Sequence, residues 1–239
     1  MAAALGWGVV AASSLVLGMV LGLARRWPGR LIGLVLAFGA GALVSAVSFE
    51  LFEEGVQVGG AAAVGIGLGL GAIVYFVLAR AVERVGPGSG GRSASGGGTA
   101  LALGAFLDGI PEQLVLGIGI AAGEGVSIGL LVAIFVSNLP EAIGSATDMR
   151  EAGASLREIR LLWLGVAAFC ALATPLGYFL AQHTGGHFRA GINGFAAGAL
   201  LVMLVDSMIP EAATKSGRVA GLATVLGFAV AAGLSTATA

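Results

Sequence analysis

Asp108-Gly-Ile-Pro-Glu112 and Ser137-Asn-Leu-Pro-Glu141 each stand in the middle of a long apolar segment. From residue 100 to 122 the strongly polar residues are Asp108, Glu112 and Gln113; from 126 to 147 Asn138 and Glu141 play that part. A carboxylate at the centre of a bilayer costs about 2.5–3.5 kcal/mol on insertion scales, so three cost roughly 8–10 kcal/mol unless something pairs with them. Neither segment contains a Lys or Arg as counter-charge. A bound cation answers the deficit.

The rest of the chain agrees with burial in lipid. Of its 239 residues 57% are hydrophobic and only 10% charged, and the mean hydropathy is +0.99. Soluble domains carry roughly 25% charged residues, so the composition indicates one polytopic transmembrane domain over 1–239. The 42 Gly are spread through apolar runs, as suits membrane helices that approach one another closely. A net charge of −1 with no basic patch argues against a nucleic-acid partner. The single Cys170 excludes an intramolecular disulfide and a multi-cysteine metal site. Residues 2–24 have spanning length and no basic stretch before them, which reads as a first membrane helix rather than a cleaved signal.

Cutting the chain where charges and turn residues cluster predicts eight membrane helices, at about 2–24, 31–52, 59–79, 99–121, 126–147, 159–182, 190–212 and 219–238. The linker 80–98 is Gly/Ser-rich in its second half and is expected to be flexible. Alternate loops hold 11 of the 12 basic residues, and the other set holds only Arg189. That asymmetry puts the basic loops in the cytoplasm and both termini outside a cell (plasma or inner) membrane.

A repeat runs through the chain. Phe38-Gly-Ala-Gly-Ala-Leu-Val44, continuing to Glu54, aligns with Phe195-Ala-Ala-Gly-Ala-Leu-Leu201, continuing to Glu211, at a constant offset of 157. This pairs spans 2 and 7, which run in opposite directions. The two Pro-Glu motifs pair spans 4 and 5 in the same way. Inverted repeats in a 3+2+3 arrangement are expected of a transporter whose substrate site lies near the midplane.

Asp108 and Glu112 share one helix face, as do Ser137 and Glu141, with Asn138 three residues from Glu141. Pro111 and Pro140 each remove a backbone N–H and leave the carbonyls near Leu107 and Val136 without their usual partner. Such backbone is tolerated at membrane depth only where it is buried or lines water. Asp108, Glu112, Ser137, Asn138 and Glu141 are therefore the candidate metal ligands.

The whole pattern resembles the ZIP (Zrt/Irt-like) family of divalent metal transporters, nearest its GufA-like branch. The resemblance rests on the two Pro-Glu motifs, on 141–153 (EAIGSATDMREAG), on Pro175-Leu-Gly177 in span 6 and on Met208-Ile-Pro-Glu211 ending span 7. It implies an eight-helix all-α fold, inward transport of zinc, manganese or iron by alternating access, no organic cofactor, and a homodimer as one oligomeric outcome. It also implies that spans 1, 4, 5 and 6 move against 2, 3, 7 and 8. The family's span 4 usually reads His-Asn-x-Pro-Glu-Gly, where this chain has Asp108, Gly109 and Gln113. A Glu often precedes Pro-x-Gly in span 6, where this chain has Thr174. Many members bind two metals here; with Gly109 and Thr174 in place of two ligands, one metal is expected. The remaining donors are oxygens, which suit hard cations, although zinc also accepts carboxylates.

Several weaker signals keep two readings each. Asp206 and Glu211 are exit-route ligands or interfacial polarity. Glu50, Glu53 and Glu54 attract cations at the entrance or mark the membrane boundary. His183 and His187 capture metal or belong to a polar loop. Gly65, Gly67, Gly69 and Gly71 follow no strand and are read as helix-packing positions, so no nucleotide loop is expected and the expected driving force is the ion gradient or a coupled ion. Two other functions compete with transport: an intramembrane metal-dependent enzyme, and a metal sensor that has lost transport. The enzyme reading lacks a His-Glu-x-x-His motif.

Overall fold

Long apolar runs rich in Ala, Leu and Gly satisfy their backbone only by coiling, and all regular structure in the computed structural model is helical among the described residues, 1–85, 95–122 and 126–238. The order is α1 (Ala2–Ala24), α2 (Gly29–Ala46), a π-helical stretch (Val47–Glu53), α3 (Glu54–Gly59), α4 (Ala61–Val85), α5 (Ser95–Ala122), α6 (Ile128–Glu151), α7 (Leu156–His183), α8 (Gly186–Met203), a second π-helical stretch (Leu204–Met208), α9 (Ile209–Ser216) and α10 (Val219–Thr238). Among the described residues, seven helical segments are long and apolar enough to cross a membrane: Ala2–Ala24, Gly29–Gly59, Ala61–Val82, Ile128–Glu151, Leu156–His183, Gly186–Ser216 and Val219–Thr236. Between the third and fourth of these comes α5, 28 residues long, with Pro111 inside it. The protein is an all-α, multi-pass membrane protein.

Several boundaries differ from the sequence expectation. The segments Gly29–Gly59 and Gly186–Ser216 run beyond the expected ends at 52 and 212. Glu50 and Glu53 therefore lie inside a continuous helical run rather than at its end. A helix need not stop at its first charges, because a π turn shifts the register and re-aims them. The expected linker 80–98 is helical at 80–85 and 95–98. Arg92 and the 123–125 break fall outside the described residues.

The helices pack as two sets. In one, α1 lies on α6 and α7, and α5 lies on α7; in the other, α4 lies on α8, and α10 on α2. Glycine brings the second set together. A Cβ at Gly67 or Gly71 would overlap the carbonyl of Gly191 or Phe195 on α8, whereas Gly65 and Gly69 face open space. Only the i, i+4 pair is thus an interface. Between the sets, α2 meets α6, where Gly39 presses on the Ser137 backbone, and α5 meets α8. The outer faces of α4 and α10 present Ile66, Leu70, Ile73 and Val77, and Leu222, Val225 and Leu226, the apolar surface that lipid requires.

The offset of 157 recurs in the geometry. Helix α2 begins at Gly29 and α8 at Gly186; the π stretches begin at Val47 and Leu204; the positive-φ glycines that end the two runs are Gly60 (φ 88°) and Gly217 (φ 66°). Left-handed backbone at both turns favours a residue without Cβ.

At one end of the bundle Arg150 donates to the Leu23 carbonyl (2.6 Å), Arg26 pairs with Glu151 (3.4 Å) and Lys215 pairs with Glu211 (2.6 Å). Nearby, Ser155 and Glu158 form a reciprocal capping box that starts α7. At the other end His187 bonds through Nδ1 to the Gly59 carbonyl (2.7 Å).

Candidate functional site

A helix that contains Pro111 or Pro140 stays continuous here because neighbouring helices enclose it, and both prolines are buried. A glutamate directly follows each proline, and Asp108 stands three residues before Pro111. Asp108 and Glu112 on α5 are 6% and 1% exposed, Ser137 and Asn138 on α6 are buried, and Glu141 is half-buried.

These residues meet at one cavity of about 10 Å³, roughly the room one water-sized sphere needs. Asp108, Glu112, Ser137 and Glu141 line it from α5 and α6, while Leu36, Met203, Ser207, Met208 and Glu211 line it from α2, α8, α9 and the π stretch between the last two. The two walls belong to the two helix sets. No Lys, Arg or His is among the lining residues.

Within the cavity Ser137 Oγ donates to Glu112 Oε1 (3.3 Å) and also to the Ile134 carbonyl (3.0 Å). Tyr75 on α4 donates its hydroxyl to Asp108 Oδ1. Glu141 faces Asp108, with Glu112 and Glu211 within electrostatic reach. Glu112 Oε2 and the Asn138 amide nitrogen are buried without a hydrogen-bond partner. Among the described residues no three His, Cys, Asp or Glu side chains stand close enough to chelate a metal as they are. Asp108, Glu112 and Glu141 share a cavity but not a ready-formed coordination sphere.

Next to Glu112 and Asp108 on α5 lies a packed cluster of neutral groups. Thr174 Oγ1 donates to Gln113 Oε1 (2.6 Å), and both side chains are fully buried. Cys170 Sγ fills the space next to Gly109. The two positions where the family resemblance anticipates lost ligands are thus closed by a hydrogen bond and a packed thiol.

The weaker sequence candidates divide. Glu211 lines the cavity and holds Lys215. Asp206 is exposed and absent from the lining, which takes its neighbour Ser207 instead. Glu54 is half-buried and away from the cavity. Glu50 turns toward α6 and α10, accepting from Ser235 Oγ (3.1 Å). His183 stacks on Phe179 (4.1 Å between centroids) and bonds to its carbonyl.

Sequence reasoning missed Tyr75, Ser207, Met203 and Met208. Tyr75 left one signal, a hydroxyl-bearing ring in an otherwise apolar span. The methionines left none, since a thioether in a membrane helix reads as ordinary packing.

No family model matches the chain. Over 200 residues it is 28% identical to the Arabidopsis thaliana protein named "Putative zinc transporter At3g08650". The match covers 81% of this chain and 32% of that protein, so the chain spans about a third of the relative's length. The relative's name is consistent with the ZIP resemblance carried by the Pro-Glu motifs.

Proposed function

We propose that this chain carries a divalent metal cation across a membrane, inward, by alternating access. The observation that carries the reading is the cavity itself: three carboxylates from two Pro-bearing helices line it, with no cationic side chain opposite them. Desolvated carboxylates without a basic partner are stabilised by a cation that passes among them. The relative's name supports zinc as one cargo.

Alternating access is supported by the position of the cavity at the seam between the helix sets. One wall is α5 and α6; the other is α2, α8 and α9. Relative movement of the sets would open the seam first to one end and then to the other. The common offset of helix starts, π stretches and turn glycines supports inverted repeats within an eight-span, 3+2+3 arrangement. Cation entry would draw Asp108, Glu112 and Glu141 together from their present separation, with Ser137 and Asn138 completing the donor set. Glu211, held by Lys215, is the next acidic group along the path.

Met203 and Met208 add two thioethers to a donor set that sequence alone makes all oxygen. Sulfur favours softer cations, so zinc and cadmium rank above magnesium. The reading is tested by metal uptake into proteoliposomes, run as a competition among Zn, Mn, Fe, Mg and Cd. Saturable uptake by the wild type, abolished in Glu112→Ala and in Glu141→Ala while both variants remain folded, is the expected result. Normal uptake by Glu141→Ala would remove the site from the transport path.

A further inference from the structure

Tyr75 is 8% exposed, on a helix that packs chiefly on α8, and its hydroxyl reaches across to Asp108 on α5. The bond therefore joins the two helix sets at the cavity wall. It also occupies one particular atom, Oδ1, of a carboxylate that lies beside Glu141. A phenol donating to one oxygen makes that oxygen the poorer donor to a cation and biases the carboxylate toward binding through the other.

Resting on the transport reading above, we propose that Tyr75 is a positioning residue that sets cation selectivity by limiting Asp108 to single-oxygen coordination. Large cations such as calcium take 6–8 oxygens and gain from carboxylates that bind through both atoms, whereas small divalent ions manage with fewer, closer donors. A cavity of about 10 Å³ holds roughly one water-sized body, so few extra ligands are at hand to make up the number. Holding Asp108 to one oxygen thus penalises the larger ion more. The ring is kept in place by close packing of α4 on α8, where Gly71 lets the backbones meet four residues from Tyr75. That packing does not depend on the hydroxyl, so Tyr75→Phe keeps the ring and releases only the oxygen.

The test measures equilibrium binding of Zn, Mn, Cd and Ca to the purified full chain, with uptake into proteoliposomes as a second readout. Tyr75→Phe is expected to raise the Cd-to-Zn and Ca-to-Mn affinity ratios by about fivefold or more, since a charge-assisted bond to the carboxylate has been removed. In an Asp108→Asn background the same substitution is expected to leave both ratios where Asp108→Asn alone puts them, because Tyr75 acts through Asp108. A general loss of stability would weaken all four ions alike and leave the ratios unmoved, so the ratio distinguishes positioning from scaffolding. Unchanged ratios in Tyr75→Phe, with wild-type binding intact, overturn the inference and leave the transport reading standing. An equal shift with and without Asp108 also overturns it, by making Tyr75 a direct ligand. Wild-type protein that binds none of the four ions overturns both.

Discussion

Asp108, Glu112 and Glu141 were legible as a cluster because charge in a membrane helix is improbable without a partner. All three line one cavity, without forming a chelating group as they stand among the described residues. Ser207 was not legible, because it lines the cavity from within a π-helical stretch, and no residue type announces such a turn. Two predictions belong at this scale. Asp108 occupies the place where the family resemblance implies His, and an imidazole there favours zinc over harder ions. Asp108→His is accordingly expected to raise the Zn-to-Mn uptake ratio, and an unchanged ratio would show that Asp108 does not touch the ion. The second concerns stoichiometry. Beside Gly109 lies Cys170, and Thr174 is bonded to Gln113, so these positions offer neutral groups only. A second M²⁺ a few ångström from the first would meet strong repulsion at low dielectric. Metal counting on purified protein is expected to give one tight ion per chain, lost in Glu112→Ala. Gly109→Asn with Thr174→Glu is expected to create a second site. Two ions bound at this centre in the native chain would contradict the argument from missing ligands.

At the scale of the element, span positions were readable from hydropathy, and span ends were not. The sequence places a break at Glu53-Glu54-Gly, yet the helix continues to Gly59. Burial against α8 supplies what hydropathy cannot see, since α3 packs there with Gly55 against Asn193. The glycine stripe in α4 was read as helix packing, and it divides by face. Gly71 meets the Phe195 backbone closer than any Cβ could stand, whereas Gly69, two residues away, meets nothing within 4 Å. Gly71→Leu must push α4 off α8 and is expected to cost about 1–3 kcal/mol or more, read as a fall in the unfolding midpoint in detergent. Gly69→Leu points into the lipid-facing space and is expected to stay within about 0.5 kcal/mol of wild type. Equal losses from both would mean that α4 does not pack on α8 through that face.

For the whole molecule, the distribution of basic residues predicts a direction that side-chain contacts cannot supply. The contacts do gather Arg26, Arg150 and Lys215 at one end of the bundle and His187 with Gly59 at the other. The excess of basic residues predicts that the first end faces the cytoplasm. That end also holds Glu211, so on this orientation the cavity's acidic continuation would lead toward the cell interior, as the proposed inward transport requires. Thiol labelling tests this directly, because the native Cys170 is fully buried and silent toward a membrane-impermeant reagent. Ala152 and Gly185 are both exposed, lie at opposite ends of α7 and have ordinary negative φ, so a cysteine fits at either position without strain. In intact cells Gly185→Cys is expected to label at once, and Ala152→Cys only after the membrane is permeabilised. The reverse pattern would invert the orientation and turn Glu211 from an exit group into an entrance group. Uptake would then have to run from the Lys215 end, and a lysine holding the first acidic group on the path would compete with every arriving cation.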